Sequence, residues 1–321
     1  MTRSVSLERI QAAAGVIYDP VIRTPLVRAG FDGPDTLYLK LECLQPVGSF
    51  KLRGAYNAVR RLPDRERARG VWTVSAGNAA QGVALAARRL GVTCDVLVVD
   101  TAPATKLLAL ERLGARVVKA PYEECWRAVE LGASDRMTGR LVHPFDDDDV
   151  IAGHGTVGLE IFADLPDVDV VIAAVGGGGL LSGVASALRA LRPGVRVYGA
   201  EPETAAPLAA SMAAGRPSAA PRWEASFVDG AGGRSVLPSM WPLLSTLVDG
   251  SIVVTLDEVR AAMRLVAERA HVVCEGAAAC AVAAALTGRA GPGRTVAIVS
   301  GGNIDLPRFA ELVGACAPST R

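Results

Sequence analysis

Lys51 is the residue of this chain best placed to do chemistry. It lies in Gly48-Ser49-Phe50-Lys51-Leu52-Arg53-Gly54-Ala55, between Phe50 and Leu52 in an apolar setting. Ser49 is a good N-cap, and Tyr56, Val59 and Leu62 follow at helical spacing, which predicts Lys51 in the first turn of a helix. A lysine held there loses water and faces the positive end of the helix dipole, so its ammonium is destabilised. The freed amine is a nucleophile of the kind that Schiff-base chemistry with a carbonyl cofactor needs. On the octapeptide alone, a lysine with its stem on apolar surface and its head in water is an equal reading.

Three small-residue loops follow three β-rich runs and help to decide between the two. Val171 to Val175 runs into Gly176-Gly177-Gly178-Gly179 and then a helix near Leu180. Four glycines let backbone N–H groups converge at the positive end of a helix, which is a cradle for a phosphate. No Gly-Lys-Ser/Thr follows, so this is not a nucleotide P-loop. Its spacing also fails the dinucleotide fingerprint, although Glu201 stands roughly where that motif's acidic residue would. A plain strand-to-helix turn is the structural alternative, but it would not need four flexible residues.

The second loop is Ser75-Ala76-Gly77-Asn78-Ala79-Ala80-Gln81-Gly82. Its backbone N–H groups suit a carboxylate, and the Asn78 amide can donate to an oxygen; a capped helix start is the alternative. The third is Ser300-Gly301-Gly302-Asn303 after Val296 to Val299, with Ser300 at a strand end. Ligands of open α/β sheets bind beyond the carboxyl ends of the strands. Three such loops and an activated lysine describe a site for a phosphorylated carbonyl cofactor, pyridoxal 5'-phosphate, acting on an amine that carries a carboxylate.

The elements that must position these residues alternate. Strands are expected over Thr36 to Leu41, Gly70 to Val74, Cys94 to Val99, Val117 to Lys119, Val168 to Val175, Arg196 to Ala200 and Thr295 to Val299, with Arg140 to His143 extended. Helices are expected over Lys51 to Leu62, Ala79 to Leu90, Ala104 to Leu113, Glu123 to Gly132, Val157 to Phe162, Leu181 to Leu191 and Asp257 to Ala270, and a loop over Arg216 to Gly233. Strand-helix alternation with continuous apolar strands predicts an α/β protein with parallel sheets covered on both faces.

Bulk properties exclude several function classes. The 321 residues are 50% hydrophobic and 21% charged with a formal net charge of +1, so no global field attracts nucleic acid or an anionic membrane. The six cysteines form no C-x-x-C pair and mostly sit in apolar runs, where a reduced thiol behaves as a small hydrophobe. With no N-terminal signal pattern and no apolar run long enough to span a bilayer, a cytoplasmic location is expected. His143, His154 and His271 give no H-x-x-x-H pair, which disfavours zinc catalysis.

The chain resembles the fold-type II pyridoxal-phosphate enzymes (tryptophan synthase β-like), specifically the threonine/serine dehydratase and serine racemase group. The resemblance covers nearly the whole chain in order. It runs through Lys40-Leu41-Glu42, Gly48 to Ala55, Ser75 to Ala84, His143 to Asp146 and Ala152 to Thr156, then Gly176 to Gly183, Glu201-Pro202, Asp229-Gly230, Glu275-Gly276 and Ser300 to Leu306. It implies two open, mostly parallel sheets with helices on both faces. A large cofactor-binding domain of residues 1–69 and 145–321 would carry a small mobile domain, 70–144, that closes over the substrate. It implies a homodimer, and with the sequence running only a short way past Ser300 no C-terminal regulatory domain is expected.

The resemblance also implies roles. Lys51 is similar to the Schiff-base lysine and proton carrier, Phe50 to a residue packing near the cofactor ring, and Asn78 to the donor to its phenolic oxygen. Gly176, Gly177, Gly178, Gly179 and the Leu180 backbone resemble the phosphate cradle, and Ser300 the partner of the pyridine nitrogen. Ser75, Ala76, Gly77, Asn78, Ala79 and His154 fall in the substrate region. The implied activity removes a β-hydroxyl and the amine from a hydroxy-amino acid such as L-threonine or L-serine, giving a 2-keto acid and ammonia.

The chain departs from the group at four places. Ala76 replaces the serine that serves as the opposite-face base, so racemisation is expected to be weak or absent. Ala79 and His154 replace a histidine and a glutamine, which allows either a reshaped pocket for a bulkier or acidic 3-hydroxy amino acid, or neutral drift. Pro207 replaces an aspartate of the group's divalent-metal site, leaving Glu201 and Ala205 as remnants, so no bound metal is expected. A β-replacing or threonine-synthase-like lyase, a nicotinamide oxidoreductase and a silent pyridoxal-phosphate-binding protein are the competing readings.

Overall fold

The structure is a computed structural model and describes residues 3–30 and 36–314. In chain order the elements are α1 (Leu7–Ile17), β1 (Leu26–Arg28), β2 (Leu37–Lys40), α2 (Lys51–Arg61), α3 (Asp64–Arg67), β3 (Val71–Val74), α4 (Asn78–Arg89), β4 (Cys94–Val99), α5 (Ala104–Arg112), β5 (Arg116–Ala120), α6 (Tyr122–Leu131) and β6 (Arg140–Leu141). Then follow α7 (Asp148–Asp164), β7 (Val170–Ala174), α8 (Gly179–Leu191), β8 (Arg196–Pro202), α9 (Pro207–Ala214), α10 (Trp241–Leu247), β9 (Gly250–Val254), α11 (Leu256–Leu265), α12 (Gly276–Leu286), β10 (Thr295–Ile298) and α13 (Leu306–Gly314). Cys316 lies outside the described residues.

The strands form two sheets. Six make the order β1-β2-β10-β7-β8-β9 and four make β5-β4-β3-β6. Every pairing is parallel except β1 with β2. Val170, Val171, Ile172 and Ala173 of β7 are all fully buried, as a strand with helices on both faces must be.

Several elements hide from a pattern reading for physical reasons. The helix expected over Val157 to Phe162 begins earlier, at Asp148, capped by Asp147, whose carboxylate accepts from Asp149 N at 2.7 Å and Val150 N at 3.1 Å. Gly153, Gly155 and Gly158 obscure that helix in the sequence because they are its contact points. A Cβ at Gly153 would stand 2.5 Å from the Arg53 carbonyl oxygen, and one at Gly155 2.8 Å from Ile10. The helix α12 has no periodic face because Gly276 to Ala284 are all buried.

The start of α2 differs from the expectation in one respect. Lys51 does open the helix, but Phe50 occupies the N-cap position with helical torsions, and Ser49 is not the cap. The Ser49 hydroxyl is buried without a partner among the described residues, and its backbone is held in a bridge with Gly301. Phe50 N donates to the Ser300 carbonyl at 3.1 Å, so the lysine helix is tied directly to the third loop.

Behind Lys51 lies a fully buried ionic network. The Arg53 guanidinium donates to both oxygens of Glu42 (2.7 and 2.8 Å) and both of Glu160 (2.7 and 2.9 Å). Lys40 donates to Glu160 at 2.6 Å, so two cations balance two carboxylates. The network joins β2, α2 and α7, and fixes the turn of helix that carries Lys51.

Candidate active site

A cavity of about 960 Å³ opens between the two sheets, at the carboxyl ends of β3, β7 and β10. Phe50, Lys51, Ser75, Ala76, Gly77, Asn78, Ala79, Gly176, Gly177, Gly178, Gly179, Leu180 and Ser300 all line it. Residues separated by up to 250 positions in sequence are therefore gathered at one place by strand ends and helix starts.

Lys51 Nζ donates to the Pro144 carbonyl at 2.5 Å. Burial pushes its amine down to about 8, against an opposing pull from Glu275. The Pro144 carbonyl is aimed by its neighbour. His143 Nδ1 accepts from Asp146 N at 2.8 Å and Phe145 N at 3.3 Å, while Nε2 lies 3.0 Å from the Val129 carbonyl. Nδ1 must then be the acceptor and Nε2 the protonated nitrogen, and burial lowers the pKa so that the ring stays neutral. Sequence reasoning quoted His143 only as part of a motif, and its hydrogen bonds to the turn that follows leave no signature in the sequence.

The glycine loop fits a phosphate group. Gly178 has φ +88°, and a Cβ at Gly177 would fall 2.1 Å from the Phe145 ring, one at Gly179 2.8 Å from the Phe145 carbonyl and one at Gly176 3.0 Å from the Gly230 carbonyl. Only glycine leaves this concavity open, and the first N–H groups of α8, free of helical partners, face the same end. The Ser75 to Ala79 loop opens α4 in the same way, with Gly77 N donating to Ser75 Oγ at 3.0 Å.

His154 is the correction to the expected site. It does not line the cavity. It is fully buried behind Phe50, with ring centroids 4.7 Å apart in an edge-to-face contact, and a Cβ at Gly54 would lie 2.4 Å from its ring. Both ring nitrogens lack hydrogen-bond partners among the described residues, and burial holds the pKa well below the usual histidine value. The sequence places His154 next to the substrate region, but α7 turns this position towards α2.

The residues compared with a metal site are engaged otherwise. The Glu201 carboxylate accepts from Leu208 N at 2.8 Å, Ala209 N at 2.9 Å and Ser251 Oγ at 2.7 Å, closing the first turn of α9, while Ala205 is buried nearby. Neither lines the cavity. Sequence reasoning assigned no role to Glu275, yet it does line the cavity, accepting from Asn78 Nδ2 at 2.8 Å. Burial and the nearby Asp229 charge push its carboxyl up to about 7.

Comparison with known proteins agrees with this geometry. Residues 17–301 match the family described as pyridoxal-phosphate dependent enzyme. The L-threonine ammonia-lyase of Thermotoga maritima is 41% identical over 317 residues, covering 96% of this chain and 78% of that protein. Threonine deaminase isoform 2 of Solanum lycopersicum superimposes with a TM-score of 0.85 at 33% identity, over 98% of this chain and 95% of the other. Maize serine racemase gives the same TM-score of 0.85 and 33% identity, over 96% and 97%. The cofactor that the cavity fits is therefore pyridoxal phosphate, and the chain belongs to the pyridoxal-phosphate dependent enzyme family.

Proposed function

We propose that the protein is a pyridoxal-phosphate-dependent ammonia-lyase that converts L-threonine or L-serine to the 2-keto acid and ammonia. The observation that carries this reading is the convergence of Lys51, Asn78, the Gly176 to Leu180 loop and Ser300 on one cavity, in a chain 41% identical to an L-threonine ammonia-lyase. The overall change balances: the substrate loses its β-hydroxyl as water, regains a water and releases ammonia.

When bound, the cofactor supplies a conjugated electron sink that acidifies the α-hydrogen. The chain's own residues do the rest. Gly176 to Gly179 and the Leu180 N–H would hold the phosphate, and Phe50 would pack near the ring. Asn78 would donate to the phenolic oxygen, and Ser300 would be the neutral partner of the pyridine nitrogen. Ser75, Gly77 and the first N–H groups of α4 bind the substrate carboxylate. Lys51 Nζ, with its lowered pKa, takes the proton from the α-carbon. Ala76, which carries no exchangeable proton, leaves the opposite face without a base.

We further propose that residues 70–144, which carry the four-stranded sheet, move as a small domain against the remainder, and that the protein is a cytoplasmic homodimer. Five described cysteines are free thiols, four of them buried, which suits a reducing compartment. No helix among the described residues is long and apolar enough to cross a membrane. Metal independence belongs to the same reading, since the Glu201 oxygens are already committed.

The test is 2-keto acid release from L-threonine, L-serine, threo-3-hydroxyaspartate and 3-phenylserine, with Lys51→Ala as control. Release from threonine or serine, abolished in the variant, supports the reading. Wild-type turnover by Lys51→Ala would sink it. Activity confined to the acidic or aryl substrate would move the specificity to the pocket around Ala79.

A further inference from the structure

Glu275 and Asn303 flank Asn78 in a continuous hydrogen-bonded chain. Asn303 Nδ2 donates to the Val47 carbonyl at 2.7 Å and to Asn78 Oδ1 at 2.7 Å, and Asn78 Nδ2 donates to Glu275 Oε1 at 2.8 Å. One end of this chain is the Val47 carbonyl, which can only accept and so fixes the Asn303 amide, and the other is the Glu275 carboxyl, which accepts in its ionised form. Their chemistry leaves one orientation for both amides between them. Asn303 must present its NH₂ to Val47, which commits Asn78 Oδ1 as an acceptor and turns Asn78 Nδ2 towards Glu275. One N–H of Asn78 remains without a partner among the described residues.

The surroundings are shaped around this chain. A Cβ at Gly301 would stand 2.7 Å from Glu275 Oε1 and 3.2 Å from Asn78 Nδ2, and one at Gly48 2.7 Å from Asn303 Oδ1. Two glycines on separate loops thus leave room for the pairing. Glu275 is 5% exposed, so its side chain has little freedom to leave.

We propose that Glu275 and Asn303 are positioning residues that fix the Asn78 amide with a single N–H left to donate to the cofactor's ring oxygen. This rests on the reading of Asn78 under the proposed function. Neither residue needs to touch the substrate. Without them Asn78 can turn over about its last bond and offer its oxygen, which repels a phenolate rather than binding it.

A double-mutant cycle tests this, read as equilibrium binding of pyridoxal phosphate to the apoprotein by absorbance and fluorescence. Glu275→Ala is expected to weaken binding about 10-fold, and Asn303→Ala about 3-fold. Glu275→Gln retains an acceptor oxygen and is expected to restore binding to within about 3-fold of wild type. In an Asn78→Ala background, Glu275→Ala and Asn303→Ala should cost nothing further. Equal losses with and without Asn78, or unchanged binding by Glu275→Ala, would overturn the inference; Glu275→Gln and Asn303→Ala, one an isostere and the other an exposed side chain, keep the cycle readable if Glu275→Ala does not fold. Wild-type apoprotein that takes up no pyridoxal phosphate would overturn the reading of the site and this inference with it. Uptake with additive losses would overturn this inference alone.

Discussion

Lys106 Nζ lies 2.6 Å from Asp229 Oδ2 at the edge of the cavity, joining α5, beside the four-stranded sheet, to the long segment between α9 and α10. Arg234, on the same segment, lies 4.6 Å from the Tyr122 ring on α6 and 4.8 Å from the Trp223 ring. Two contacts of different chemistry therefore span the same gap. The ion pair is open to water, with side chains 36% and 61% exposed, so it contributes less than about 1 kcal/mol. Lys106→Ala is expected to raise KM by up to about 5-fold with kcat nearly unchanged, and the difference from wild type should shrink at high salt. Steady-state kinetics at low and high ionic strength check this.

With Lys51 as the proposed Schiff-base lysine, its lowered pKa is expected to set how fast the apoprotein takes up the cofactor, because only the neutral amine attacks a carbonyl. The amine falls from its ordinary 10.5 to about 8, so protonation is lost at a lower pH than in a free lysine. At neutral pH about a tenth of the apoprotein then carries a reactive amine, against roughly one part in several thousand for an unshifted lysine. The uptake rate is expected to rise about tenfold per pH unit below pH 8 and to level off above it. Stopped-flow absorbance of apoprotein mixed with pyridoxal phosphate gives the profile, and a rate still climbing steeply at pH 10 would contradict it.

Arg53 stands between two buried carboxylates and is itself fully buried. Removing it strands Glu42 and Glu160 with only Lys40 for compensation. Arg53→Met is expected to destabilise the fold by roughly 3–5 kcal/mol. Arg53→Lys should recover only a minor part, because an ammonium cannot serve two carboxylates through a planar fork. Urea unfolding of the three proteins measures the difference.

Ala76 lines the cavity and carries no exchangeable proton, so on the proposed function it supplies no base to the second face of the substrate. Incubation with L-serine is expected to yield pyruvate and ammonia with no accumulation of D-serine. Chiral chromatography of the residual amino acid checks this, and substantial D-serine would refute it.

Glu201 already holds two backbone N–H groups and a serine hydroxyl, and Pro207 adds no carboxylate. Magnesium or calcium is expected to leave the melting temperature unchanged. A rise of several degrees on adding either ion would mean that these oxygens can be recruited.

Much of this was legible in the sequence because the site is built from local signals. A lysine opening an apolar helix, and small-residue loops after continuous apolar strands, declare themselves within a dozen residues. Strand ends and helix starts then come together as parallel sheets require. What stayed hidden depends on contacts between distant segments. Ser49 reads as a cap, but the bridge to Gly301 takes its backbone away. His154 reads as a neighbour of the substrate, but the close approach at Gly54 and Gly153 rotates it behind Phe50. Glu275 reads as one acidic residue before an alanine-rich helix, and only the fold brings it to Asn78.

The bond from Lys51 Nζ to the Pro144 carbonyl has a bearing on more than the lysine. Pro144 follows β6, where the chain returns from the four-stranded sheet to the six-stranded one. Any reaction that commits this nitrogen elsewhere releases a carbonyl at that crossing. With the proposed motion of residues 70–144 and the proposed attachment at Lys51, cofactor attachment and the relative posture of the two sheets would be thermodynamically linked, and linkage is reciprocal. Whatever favours one posture, a bound substrate included, must change the affinity for the cofactor by the same factor that the cofactor changes its own.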